Sequence, residues 1–232
     1  MVEAPETKPY GTPLFRETLV ESTKPIIKEQ LEKEWEPPNY CIFSAKSVSY
    51  CIGLVDMASS TKIAAGLRVK MSRYYQQFLN LMSKVVAEFD GKIIKNVGDC
   101  LLYYFPETTS SQDRAALTKS LECSLTMIDS HEFLRSQMKS EGLPPCDYRI
   151  SMDYGFVMLM KSADSNTPDM IGPPLNMCAK INRCAEKNGI VIGGDLYQLA
   201  KHSEGFLFKE LKAYPVGFKY SYPIYQVTRR ML

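Results

Sequence analysis

The sequence predicts an α+β domain, an antiparallel sheet covered by helices on one face. Three observations predict it. Residues 67–89 carry Leu67, Met71, Tyr74, Phe78, Leu81, Val85 and Phe89 at steps of three or four, the stripe of an amphipathic helix. KIIKNV and CLLYYF read as two strands around Gly98-Asp99, a hairpin by its two-residue turn type. The whole order is strand, helices, hairpin, helix, strand pair, helix, strand, the pattern of an antiparallel sheet with helices packed on it.

In chain order, residues 1–40 form a Pro-rich arm. Thr23 can cap a short helix there, with Pro25 in its first turn and Ile26, Ile27, Leu31 and Trp35 at helical spacing. Pro37-Pro38 break the chain, and the domain proper is expected over 41–232. The first strand is expected over 47–56 and the first long helix over 67–89, ended by the Asp90-Gly91 turn. After the hairpin, a second long helix fits 112–138, and Pro144-Pro145 end that connection. YRISMDYGFVMLM reads as strand, turn, strand. A loop then leads to Gly172, followed by a helix over 175–186 and the strand GIVIG. A short helix capped by Asp195 follows, then late strands at FLFKEL and YPIYQV.

Composition narrows the function. The chain has 232 residues, 45% of them hydrophobic, enough for a full core. A net charge of only +2 argues against the clustered basic face that nonspecific nucleic-acid binding needs. No apolar run reaches membrane-span length, and the polar start MVEAPETKPYGTP is no secretory signal. Seven scattered cysteines without a C-x-x-C pair fit reduced thiols, so a cytoplasmic location is expected. His131 and His202 have no neighbouring ligands in sequence, and no zinc site is expected.

Two carboxylates keep unusual company. Asp56 ends an apolar strand, and Asp99 sits in the turn of an apolar hairpin. On neighbouring strands both would point off one sheet end, where they could hold Mg²⁺ and leave positions open for phosphates. Ser59, Ser60 and Thr61 follow Asp56 into a helix start, whose backbone N–H groups can cradle a triphosphate. Taken singly, a strand-end Asp can also cap a helix, and Gly-Asp is a common turn. Lys95 reads as a strand lysine, and Asn176 and Lys180, four apart, share a helix face.

Together these segments resemble the catalytic domain of the class III adenylyl and guanylyl cyclases. The matching order is D-M-x-x-S-T from Asp56, G-K-x-x-K-x-x-G-D ending at Asp99, D-x-x-G-x-x-x-N-x-x-x-K from Asp169, and a late Lys219 before a terminal strand. The resemblance implies a ferredoxin-like core related to polymerase palms, and head-to-tail homodimers whose sites combine both subunits. It implies two Mg²⁺ or Mn²⁺ ions on Asp56 and Asp99, helped by the backbone carbonyl of Met57. Lys95 and Asp169 would read the base, Asn176 would orient the ribose, and Lys219 would bind phosphate. One position departs, because the family's transition-state arginine falls on Lys180. Arg183, one turn further on, can substitute as the cation.

The implied reaction is attack of the ribose 3′-OH on the α-phosphorus, giving a 3′,5′-cyclic nucleotide and pyrophosphate. An acceptor at Asp169 and a donor at Lys95 match the N6 amino group and N1 of adenine, so ATP is the expected substrate. Cytosine shares that order, whereas guanine would favour a glutamate at position 95. The alternatives are a weak or inactive nucleotide-binding signalling domain, and a cyclase for CTP, UTP or GTP.

Overall fold

A computed structural model describes residues 41–162, 169–214 and 222–230. The arm over 1–40 and Lys219 lie outside the described residues.

The scaffold is one eight-stranded sheet. β1 spans Cys41–Met57, β2 Lys92–Val97, β3 Cys100–Phe105, β4 Tyr148–Ser162, β5 Asp169–Ile171, β6 Gly189–Gly193, β7 Phe206–Tyr214 and β8 Tyr222–Arg229. The strands run in the order β2-β3-β1-β4-β6-β8-β7, with β5 paired to β4. All pairs are antiparallel except β4 with β6. The hairpin of β2 and β3 forms as expected, turned by Gly98 at φ 63°.

The helices are α1 (Ser60–Leu67), α2 (Met71–Glu88), α3 (Arg114–Asp129), α4 (His131–Ser140), α5 (Pro173–Ile181) and α6 (Gly194–Ala200). They cover both faces of the sheet, which corrects the one-face expectation. Alternate residues along a strand point to opposite faces. Cys51, Val55, Leu101 and Tyr103 join one core with Tyr74, Phe78 and Met82 of α2 and Leu117 and Leu121 of α3. Ile52, Leu54 and Leu102 pack instead with Cys178 of α5. A third cluster joins Met177 and Ile181 of α5 to Val191 of β6 and Ile224 of β8.

Several boundaries differ from expectation, each for a local reason. The helix expected over 67–89 is two helices around a 3₁₀ turn at Arg68–Lys70, where Arg68 takes φ 44°. Leu67 ends α1, and Met71 is exposed, so the apolar stripe begins at Tyr74. The helix expected over 112–138 is interrupted at Ser130, where ψ opens to −2°; its hydroxyl donates to Thr126 O at 2.7 Å beside the backbone bond to the same carbonyl at 3.0 Å. YRISMDYGFVMLM contains no turn: β4 runs straight through Gly155, which pairs with Tyr50. The helix expected over 175–186 ends at Ile181 and tightens into a 3₁₀ turn over Asn182–Cys184, and the chain becomes extended at Ala185. Asp195 does not cap α6; Gly193 holds that position without a side-chain bond.

Candidate active site

Asp56 lies at the end of β1, directly opposite Cys100 on β3 and Arg149 on β4. The tight Gly98-Asp99 turn sets Asp99 beside Cys100. One oxygen of Asp56, one of Asp99 and the Cys100 sulfur all lie within 4.8 Å of one another. The expected separation for carboxyl groups that share ions is about 4–6 Å. The Cys100 thiol donates to Asp56 Oδ1 at 2.8 Å. Asp56 does not cap the following helix: α1 starts from Ser59, with no side-chain cap bond.

Electrostatics agree with this crowding. Partial burial pushes the Asp56 carboxyl above the usual range; the Cys100 hydrogen bond opposes this, the Asp99 charge adds to it, and Arg149 offsets part. Burial, then the Asp56 hydrogen bond and the two nearby carboxylates, drive the Cys100 thiol far upward. A half-buried pair of carboxylates this close favours a bound cation. The two carboxylates fit the divalent ions that the resemblance implies.

Ser59 has φ 64° and ψ 23°, a left-handed turn that starts α1. Ser59 and Thr61 are exposed and Ser60 is buried. The helix start thus offers backbone N–H groups and two hydroxyls at its surface.

Lys95 and Asp169 form an ion pair between β2 and β5. The other Asp169 oxygen accepts from Met170 N at 2.7 Å, which holds the carboxylate as an acceptor. β5 is short, and Gly172 follows it at a point where a Cβ would lie 2.5 Å from Phe156 O. Only glycine admits that approach, and it turns the chain straight into α5.

Asn176, Lys180 and Arg183 are all exposed, while Met177, Cys178 and Ile181 are buried and Leu175 is partly buried. The three polar side chains lie away from the core, although Arg183 belongs to the 3₁₀ turn Asn182–Cys184 and not to α5. A buried set of bonds fixes this orientation. Asn182 donates to Arg149 O and to Ser151 Oγ, both at 3.2 Å; Ser151 donates to Cys178 O at 2.9 Å; Arg149 Nε donates to Ala185 O at 3.0 Å.

Residues 40–229 match the adenylate and guanylate cyclase catalytic domain family. The chain belongs to that family. Among solved structures, the cyclase domain resembles the adenylyl cyclase CyaB from P. aeruginosa, with a TM-score of 0.73 and 22% identity, over 80% of this chain and 96% of that one. It also resembles the guanylate cyclase domain of RhGC from Catenaria anguillulae, solved with GTP, with a TM-score of 0.68 and 17% identity, over 81% of this chain and 100% of that one. A curated relative, a cytidylate cyclase from Staphylococcus aureus, is 25% identical over 152 residues, which is 63% of this chain and 36% of the relative. The chain therefore spans about a third of that relative's length.

In this cyclase domain, Asp56 lies beside Asp99, and Lys95 pairs with Asp169. The sequence reading missed Cys100 and the Arg149–Ser151–Asn182 brace. The signal for Cys100 was its place directly after Asp99; the brace had none, because it depends on the fold bringing β4 against α5. Among the described residues, no helix is long and apolar enough to cross a membrane.

Proposed function

We propose that this domain is a nucleotidyl cyclase acting on a triphosphate whose base carries an amino group beside a ring nitrogen, with ATP as the first reading. The ion pair of Lys95 with Asp169 carries the reading. An ionised carboxylate only accepts and a lysine only donates, so the pair offers one acceptor beside one donor. Adenine answers with its N6 amino group and N1. Guanine offers the opposite order and is disfavoured. CTP is the second reading: cytosine has the same edge, and a cytidylate cyclase is among the relatives.

Asp56 and Asp99 would hold the divalent ions, Mg²⁺ or Mn²⁺, with the Met57 carbonyl. Such ions lower the pKa of the 3′-OH and neutralise charge on the phosphates. Ser59, Ser60 and Thr61, at the start of α1, would bind phosphate through their N–H groups. Lys219 would bind phosphate, as the family resemblance implies. Asn176 would orient the ribose for in-line attack, and Lys180 or Arg183 would meet the charge that grows on the α-phosphoryl group. The exposed face of α5 suits substrate held by the carboxylates of a second copy, so the working unit is a homodimer with composite sites.

Incubating the pure chain with ATP, CTP, GTP and UTP in turn, with Mg²⁺ or Mn²⁺, and identifying each product tests this directly. Cyclic AMP as the main product supports the first reading and cyclic CMP the second. Efficient use of GTP, or no product from any triphosphate, overturns the proposal.

A further inference from the structure

The donor set at the carboxylate pair is not all oxygen. Cys100 lies opposite Asp56 in the β1–β3 register and next to Asp99 in the chain. Its sulfur belongs to the same cluster, with all three ligand atoms within 4.8 Å of one another. It already occupies Asp56 Oδ1, at 2.8 Å. Cys100, like Cys184, is half-buried, whereas Cys51, Cys123, Cys146 and Cys178 are buried; among the described residues only Cys100 is grouped with two carboxylates.

We propose that Cys100 is a third ligand of the Asp56–Asp99 site and turns it toward thiophilic divalent cations such as Zn²⁺, at the expense of Mg²⁺. This rests on the reading of the two carboxylates as metal ligands. Two carboxylates alone make a hard site that suits Mg²⁺ or Mn²⁺. A thiolate beside them adds a soft donor, and borderline or soft ions gain from it while Mg²⁺ does not. The balance is simple: the ion takes the place of the thiol proton, an S–H bond is replaced by a sulfur–metal bond, and the proton leaves to water. The same thiol hinders Mg²⁺. It lies 2.8 Å from the Asp56 oxygen that a hard ion would use. Thiophilic ions are therefore expected to compete with Mg²⁺ for one site and to block it.

The test uses the full chain, Cd²⁺ alone as probe and no nucleotide, and reads the ultraviolet charge-transfer band of a cadmium–thiolate bond. The wild type is expected to show the band on adding Cd²⁺. Cys100→Ser keeps a hydrogen-bond donor to Asp56 and all other cysteines; it is expected to lose the band and bind Cd²⁺ at least about 10-fold more weakly. Asp56→Ala is expected to weaken the band as well, and Cys100→Ala is expected to bind Mg²⁺ no more weakly than the wild type. A band of unchanged strength in Cys100→Ser or Asp56→Ala, or no band in the wild type, overturns the proposal. Because the readout is optical, failure to make any cyclic nucleotide would sink the cyclase reading and leave this result untouched.

Discussion

The Tyr222 hydroxyl lies 3.0 Å from Oδ2 and 3.2 Å from Oδ1 of Asp153, tying the first residue of β8 to the middle of β4, two strands away. Asp153 also accepts from its neighbour Tyr154 N at 2.9 Å and from Leu196 N, in the first turn of α6, at 3.4 Å. One buried carboxylate thus joins β4, β8 and α6.

That carboxylate carries a pH dependence. Burial pushes its pKa up to about 7, against hydrogen bonds from Tyr154, Tyr222 and Leu196 that pull it down, while the Asp195 charge adds to the rise. An unfolded aspartate titrates near 3.9. Between roughly pH 4 and 7 the folded chain therefore holds a proton that the unfolded chain has lost, and the slope of stability against pH is negative. The contribution of this group is fully present below about pH 4 and is lost as pH rises through about 7. Asp153→Asn keeps the shape and removes the titration. Thermal melts at pH 5 and pH 8 are expected to show a smaller fall for the variant than for the wild type; equal falls would mean that Asp153 is charged in the fold throughout.

The metal reading makes Asp56 and Asp99 equally indispensable. Either one changed to Ala is expected to abolish cyclisation, with the melting curve kept because both carboxylates lie at the rim of the sheet and not in its core. Loss of the fold in both variants would make them structural. Retained turnover in either would remove it from the metal site.

How far the site could be read from the chain depends on the range of the interactions. The β2–β3 hairpin was legible because its turn is local, and Gly98-Asp99 needs no distant partner. The outward face of α5 was legible because the i,i+4 spacing of Asn176 and Lys180 is itself the geometry. Gly155 misled: glycine in an apolar run reads as a turn, yet pairing of β4 along nearly the whole of β1 carries the strand through it. The parallel contact of β4 with β6, the Asp153–Tyr222 tie and the brace at Asn182 join residues tens of positions apart. No local pattern encodes that register.

The proposed split of the site between two copies has a sharp complementation test. Asp99→Ala and Asn176→Ala are each expected to be inactive alone. Mixed as a heterodimer, they form one site with both defects and one with neither, so activity is expected to return to about half that of the wild type. A verified heterodimer with no recovered activity argues that each chain builds its site alone.

On the proposed function, base choice is expected to follow the Lys95–Asp169 pair. Lys95→Glu combined with Asp169→Ser replaces a donor and an acceptor by an acceptor and a small hydroxyl. The variant is expected to lose most of its use of ATP and to gain relative use of GTP, measured as kcat/KM for each triphosphate. A preference that does not move would mean that these side chains pair for stability and do not touch the base.

The last prediction concerns Lys180, where the family's arginine is missing. A lysine keeps the charge but loses the planar fork that contacts two oxygens at once, and it is the shorter side chain. Turnover by the wild type is therefore expected to be slow, and Lys180→Arg is expected to raise kcat with little change in KM, since the gain belongs to the transition state. Lys180→Ala is expected to lower kcat on the order of 10²-fold, the scale of losing one transition-state donor. Arg183 follows on the same exposed side, in the 3₁₀ turn after α5, and is the competing cation. If Lys180→Ala turns over normally while Arg183→Ala is crippled, the role passes to Arg183. If no variant, Lys180→Arg included, produces a cyclic nucleotide from any triphosphate with either metal, nucleotide binding without chemistry becomes the better account of this domain.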